Sequence, residues 1–224
     1  MPQCFGAVLF DCDGVLVDSE PITNRVLRDM LEERGWALTQ EECLRIFIGK
    51  AVKDEAALIE RQTGQPLTQE WLAGFWRRRN AALEQELQPI PGAPEAVRAL
   101  HRAFEGRIAC ASGADKHKVE LQLEKVGLHA LFKGRIFSGH DMPRSKPAPD
   151  VYLAAAASLG VPSAHCAVVE DTVTGATAGV AAGATVFGYS PGGLGHSSAQ
   201  ALRGVGVAQV FTDMRALPAL LLGV

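Results

Sequence analysis

In the segment "LFDCDGVLVDSE" (residues 9–20) an apolar run ends on two aspartates, Asp11 and Asp13, separated by Cys12 and followed at once by Gly14. Aspartate is depleted in strands and seldom buried without a partner, so a pair at the end of an apolar run points to a task other than stability. Further polar residues follow apolar runs in the same way. Ser112 and Gly113 come after "RIACA", Lys146 stands in "RSKPAPD" after "RIFSG", and Glu170 with Asp171 closes "CAVVE". Carboxylates gathered in one crevice repel and take up protons unless a cation neutralises them, and an oxygen-only donor set without His or Cys favours magnesium. The carboxylates such a cation would neutralise are Asp11, Asp13, Glu170 and Asp171.

The chemistry such a collection supports is phosphoryl transfer. Asp11 would attack phosphorus. Asp13 would protonate the departing alkoxide and afterwards take a proton from the water that hydrolyses the aspartyl-phosphate. Ser112 and the backbone N–H groups of its neighbours, Gly113 and Ala114, would bind phosphate oxygens in a turn that Gly113 lets close tightly, and Gly14 is counted with the substrate-facing residues. Lys146 would offset the charge, held by the stiffness of Pro147 and Pro149, with Asp150 as the expected cap of the next helix.

These residues need a scaffold that brings strand ends together. Strand-sized apolar runs recur at residues 7–10, 107–111, 135–139, 166–170, 184–188 and 208–211, and helical patterns such as "APEAVRALHRAF", "KHKVELQLEKVG", "PDVYLAAAASLG" and "TGATAGVAAG" lie between the later ones. That alternation predicts an α/β fold with a Rossmann-like parallel sheet, in which ligands collect beyond the carboxyl ends of the strands. On extended backbone, side chains two apart lean to one side, so Asp11 and Asp13 could face one ligand. Between residues 20 and 90 the alternation fails and the sequence reads as helices: "PITNRVLRDMLEERG", "QEECLRIF", "KDEAALIERQTG" and "TQEWLAGFWRRRNAALEQEL", with "QPIPGAP" as the return linker. The expected organisation is an α/β core from residues 1–18 and 90–224 with an inserted α-helical cap from 19–89. "YSPGGLGHSS" (189–198) reads as a mobile loop.

Composition narrows the function classes. The net charge of −3 offers no large positive field for a nucleic-acid backbone or an anionic membrane, so neither is an expected partner. No run approaches the ~18 uninterrupted apolar residues of a membrane span, and the N-terminal "MPQCFGAVLF" lacks an export signal's basic start. Five scattered cysteines without a C-x-x-C pair suit a reduced, cytoplasmic protein. The oligomeric state is left open, a monomer being sufficient.

At the residues quoted, the chain resembles the haloacid dehalogenase-like hydrolase superfamily, in its sugar-phosphatase and beta-phosphoglucomutase branch with a helical cap after the first strand. "FDCDGVLVDSE", "CASGA", "RSKPAPDVY" and "VVEDTVTGATAGVAAG" are similar, in order, to its four motifs. The resemblance implies that the Asp11 carboxylate and the main-chain carbonyl of Asp13 join Glu170 and Asp171 around magnesium. It also implies that Gly49, Lys50 and Arg79 of the cap reach a small phosphorylated metabolite. A second acid at Asp13 is what phosphate-ester members carry and dehalogenases lack. Where the mutases carry a cap histidine and arginine, this chain has Thr23 and Val52. The leading expectation is a magnesium-dependent phosphatase of sugar or sugar-acid phosphates. The alternatives are a beta-phosphoglucomutase-like phosphomutase and a non-catalytic phosphometabolite-binding protein.

Singly, these residues have plainer readings: D-x-D-G as an acidic turn, Ser112 as turn chemistry, Glu170 and Asp171 as caps of the following helix. Lys50, Lys53 and the run 77–79 read as a solvated face with Arg79 excepted, and Trp71, Phe75 and Trp76 as a core stripe. Cys12 and Cys110 read as small buried apolar residues.

Overall fold

In a computed structural model the structure describes residues 5–47, 50–193 and 195–223. The chain runs β1 (Ala7–Phe10), α1 (Glu20–Glu32), α2 (Gln40–Phe47), α3 (Ala56–Thr63), α4 (Gln69–Glu86), α5 (Ala93–Ala103), β2 (Ile108–Ser112), α6 (Lys116–Lys125) and α7 (His129–Phe132). It continues through β3 (Ile136–Ser138), α8 (Asp150–Ser158), β4 (Cys166–Glu170), α9 (Val173–Ala181), β5 (Thr185–Tyr189), α10 (Ala199–Gly204), β6 (Gln209–Phe211) and α11 (Leu217–Leu222). Two compact units result: residues 1–18 with 88–224, and residues 19–87.

In the first unit the described strands form one six-stranded parallel sheet in the order β3-β2-β1-β4-β5-β6. Strand order reverses at β1, so β1 and β4 flank the topological switch point where open α/β sheets bind ligands. The central strands are apolar on both faces because both are covered. Ala7, Leu9, Ala109, Ala111 and Val168 meet Val151, Tyr152, Ala155 and Ala156 of α8 and Ala176 and Ala178 of α9. On the other face Phe10 meets Phe132 edge-on, ring centroids 6.0 Å apart. Each fully buried Leu, Val or Phe contributes about 1.5–3 kcal/mol relative to exposure. The small residues of α9 are matched to this packing: a Cβ at Gly179 would stand 2.8 Å from Val186 Cγ2.

The chain leaves this unit after Asp18 and re-enters at Gln88, and the two passages are paired. The Asp18 N–H donates to the Gln88 carbonyl at 3.0 Å and the Ile90 N–H to the Leu16 carbonyl at 3.0 Å, with Val17 bridging Pro89 antiparallel. Gln88 and Pro89 therefore belong with the sheet unit.

In the second unit α1 and α4 bury Val26, Leu27, Met30 and Leu31 against Phe75, with Cys43, Phe47 and Ile59 completing the cluster. Trp71 stacks on Phe75 at 6.1 Å, but Trp76 is 39% exposed. One position is about 100° of helix rotation, so a stripe that buries Phe75 turns its neighbour outward, and Trp76 is not part of the core. Asp150 also departs from expectation: it is the first helical residue of α8, and its carboxylate pairs with Arg144 at 2.9 Å instead of capping.

Among the described residues no helix is long and apolar enough to cross a membrane. Cys12, Cys43, Cys110 and Cys166 are buried and unlinked. Burial pushes the thiols of Cys43 and Cys166 up to about 11. At pH 8 about one part in a thousand of each is then thiolate, the reactive form. Alkylation of the native protein by iodoacetamide at pH 8, followed by mass spectrometry, is expected to leave both unmodified on the timescale that labels them fully in urea. Equal rates in the two conditions would contradict this.

Candidate active site

The site is built where β1 and β4 end. Extended pairing carries Phe10 alongside Val169, and Asp11 is the next residue out, its N–H donating to the Val169 carbonyl at 3.0 Å. Glu170 is the last residue of β4 and Asp171 the first beyond it. Oxygens of Asp11, Glu170 and Asp171 lie within 4.8 Å of one another, and all three residues are buried. Lys146 enters this cluster from the loop before α8, at 2.8 Å from Asp11 Oδ1 and 2.6 Å from Glu170 Oε1.

One lysine does not balance three carboxylates. Burial pushes Asp11 up to about 7 against the pull of Lys146, with the charges of Glu170 and Asp13 adding to the rise. Burial alone would depress the Lys146 ammonium, but Asp11 and Glu170 outweigh it and hold it well above its ordinary value. The uncompensated negative charge and all-oxygen donors fit a hard divalent cation.

Each member is held by its own element. Glu170 Oε2 accepts the N–H groups of Asp171 and Thr172 at 3.0 and 3.2 Å, while Oε1 accepts the Tyr152 hydroxyl at 2.7 Å. Burial and the Glu170 charge keep the Tyr152 phenol protonated, so it remains a donor. Helix α9 is capped by Thr172, whose hydroxyl accepts the Gly175 N–H at 3.1 Å, an arrangement worth about 1 kcal/mol. Thus Thr172, rather than either carboxylate, supplies the side-chain cap. Gly175 leaves room for the acid: a Cβ there would lie 1.7 Å from Glu170 Oε1. Gly14, at φ +74°, passes so close that a Cβ would lie 2.2 Å from Asp171 Oδ2.

Asp13 is placed differently. Beyond Phe10 the chain leaves extended geometry, because the Cys12 carbonyl gathers the N–H groups of Leu16 and Val17 and the Gly14 N–H turns back to the Val17 carbonyl at 2.9 Å. Two-residue alternation stops there, and the Asp13 carboxylate does not join the buried trio. Lys118 Nζ and Gln122 Nε2 of α6 donate to its Oδ1, each at 2.8 Å. Asp13 still stands near enough for its charge to act on Asp11.

Ser112 ends β2, buried, and its Oγ accepts the Ala114 N–H at 3.0 Å, while Ser138 Oγ donates to the Ala114 carbonyl at 2.7 Å. The turn Ser112–Ala114 is thus fixed from two strands, and nothing stands within 4 Å of a Cβ built on Gly113. In the second unit Lys50 pairs with Glu55 at 3.1 Å. Arg79 is buried, donating from Nε and Nη2 to Asn80 Oδ1 at 3.0 and 2.9 Å, with its guanidinium over the Phe75 ring. Gly49 lies outside the described residues.

Sequence reasoning missed Tyr152, Lys118, Gln122 and His196. His196 Nε2 is 3.0 Å from the Gly14 carbonyl and 4.0 Å from Asp171 Oδ2. It lies in the 189–198 segment, which is tied to the sheet unit on either side of it: Ser190 N–H donates to the Phe211 carbonyl and Ser197 N–H to the Asp171 carbonyl. A polar pair at i, i+4 beside the apolar Val119 and Leu123 was the one signal for Lys118 and Gln122.

The profile of the haloacid dehalogenase-like hydrolases matches residues 5–183. The 6-phosphogluconate phosphatase of Escherichia coli K12 is 34% identical over 182 residues, covering 81% of this chain and 80% of that protein. Hexitol phosphatase B of the same organism is 32% identical over 183 residues, covering 81% and 82%. A crystal structure of a HAD family hydrolase from Deinococcus radiodurans, with bound phosphate and sodium, superposes with a TM-score of 0.81 at 37% identity, covering 99% of this chain and 96% of that one. The chain belongs to the haloacid dehalogenase-like hydrolases, on the branch of that family occupied by phosphatases.

Proposed function

We propose that this enzyme is a magnesium-dependent phosphatase of small phosphorylated metabolites, sugar or sugar-acid phosphates, working through an aspartyl-phosphate on Asp11. The observation that carries the proposal is the buried Asp11–Glu170–Asp171 trio with Lys146 in its midst. The phosphatases of E. coli to which the chain is similar support the substrate class.

Asp11, Glu170 and Asp171, with the Asp13 main-chain carbonyl, would hold the ion. When bound, magnesium supplies the missing positive charge and polarises the phosphoryl group. The Asp11 carboxylate attacks phosphorus as the bond to the alkoxide breaks, and the Asp13 carboxyl group gives its proton to that oxygen. The Asp13 carboxylate then takes a proton from water as the water oxygen bonds to phosphorus and the Asp11 carboxylate departs, which restores both acids. Ser112 and the Gly113 and Ala114 N–H groups orient the phosphoryl oxygens, Gly14 leaves room beside Asp171, and Lys146 offsets charge. The cytoplasm, where buried thiols stay reduced, is the proposed compartment.

The test is release of inorganic phosphate from p-nitrophenyl phosphate and from a panel of sugar and sugar-acid phosphates, with magnesium, with chelator, and after magnesium is restored. Release that needs magnesium and returns with it is expected, with the highest kcat/KM on panel members. Release indifferent to chelator would overturn the metal. Conversion of a hexose 1-phosphate to its isomer without inorganic phosphate would replace the phosphatase by a phosphomutase.

A further inference from the structure

The Asp13 carboxylate is gripped by a device larger than an acidic turn needs. Lys118 and Gln122 stand one helical turn apart on α6, so both present to the same side. Lys118 is 5% exposed and Gln122 wholly buried, and both donate to a single oxygen, Asp13 Oδ1. The orientation of the Gln122 amide is fixed from its other end, where Oε1 accepts the Cys12 thiol at 3.5 Å. Gln122 thereby engages two successive residues of the loop after β1. The turn that carries Lys118 is fixed in turn by Asp115, whose carboxylate accepts the Lys118 N–H at 2.9 Å. Burying an ammonium is costly unless it is paired and hydrogen-bonded. A helix that only had to cover the sheet would be served better by apolar residues at both positions, as it is at Val119 and Leu123.

We propose that Lys118 and Gln122 are positioning residues for Asp13, setting the direction in which its carboxyl group meets the leaving oxygen and then the attacking water. This rests on the phosphatase reading given above. Neither side chain touches the reacting atoms; each acts through Asp13. A carboxyl group pinned by two donors at one oxygen has one orientation instead of a rotamer distribution, and proton transfer in the transition state requires that alignment.

The experiment is a double-mutant cycle on kcat/KM for an alkyl phosphate from the active panel, using Lys118→Met, Asp13→Asn and the pair, at saturating magnesium. In the native background Lys118→Met is expected to lower kcat/KM tenfold or more. In the Asp13→Asn background it is expected to cost less than threefold, because the group it aligns has already gone. Lys118→Arg, which keeps the donor, is expected to recover most of the native value. Gln122→Leu changes no charge, is expected to show the same loss of effect in the Asp13→Asn background, and keeps the test open if Lys118→Met does not fold. A second readout separates alignment from general damage. Departure of p-nitrophenolate needs no proton, so both variants should lower kcat/KM for p-nitrophenyl phosphate far less than for the alkyl ester. Equal factors in the two backgrounds, or equal losses on both esters, would overturn the proposal while leaving the phosphatase intact. A native enzyme without magnesium-dependent phosphatase activity would sink both readings together.

Discussion

Asp11→Asn is expected to abolish turnover, lowering kcat on any phosphate monoester by about 10⁴-fold or more, which is ~5.5 kcal/mol of transition-state stabilisation. The substitution keeps the shape of the side chain and leaves an oxygen able to accept from Lys146, but an amide does not attack phosphorus. Folding should not suffer. Asp11 is pushed up to about 7 mainly by burial, so its charge is already resisted by its surroundings. The variant should therefore melt no lower than the native protein when magnesium is absent, while inactive at every magnesium concentration. The checks are stopped assays of phosphate release and thermal melts in chelator. Residual activity within tenfold of native would remove Asp11 from the nucleophile's role, whatever became of the metal.

Lys146→Met should have the largest effect on stability. Lys146 donates to Asp11 Oδ1, Glu170 Oε1 and the Tyr152 hydroxyl, and its charge lies 4.7 Å from the centre of the Tyr152 ring. Removing one partner of a buried ion pair leaves uncompensated charge and typically costs about 3–5 kcal/mol. Here the partners left behind are two carboxylates, Asp11 and Glu170, with Asp171 in the same cluster, so the cost falls hardest on the metal-free protein. A bound divalent ion stabilises the folded state by mass action, about 2.7 kcal/mol at a hundred times Kd. Urea midpoints with and without magnesium should show the variant losing markedly less in magnesium than in chelator. Identical losses in both would mean that lysine and cation do not serve the same charges. Activity should fall at least 100-fold in either case, since Lys146 also balances the phosphoryl group.

Much of the sheet could be read from sequence because apolar run length and glycine punctuation are local signals: the six expected runs overlap the six strands within a residue or two at each end. The helix "QEECLRIF" coincides with α2 (Gln40–Phe47). The short α7, α10 and α11 went unread because four to six residues hold too little periodicity to stand out. Within the site, Asp11, Lys146, Glu170 and Asp171 could be assembled from position alone, each following an apolar run at the carboxyl edge of a parallel sheet. The Asp13 carboxylate stands apart from the buried trio because strand alternation ends at Cys12, where the chain turns. Lys118 and Gln122 stayed hidden for a different reason. Their partner lies more than a hundred residues away in the chain, and the i, i+4 spacing in "KHKVELQLEK" puts the two on one helix face without telling what that face meets.

The paired passages at residues 16–18 and 88–90 mean that the chain departs from and returns to one place beside β1. A detour whose two ends are stitched together places no length requirement on what lies between them. The sheet's register and the acids at its edge are specified without reference to it. Such an insertion is an exchangeable module: residues 19–87 can drift, lengthen or be replaced wholesale while the strand ends that carry Asp11, Glu170 and Asp171 keep their places. Freedom of sequence and length in the detour, at no cost to the sheet, is what that stitch permits.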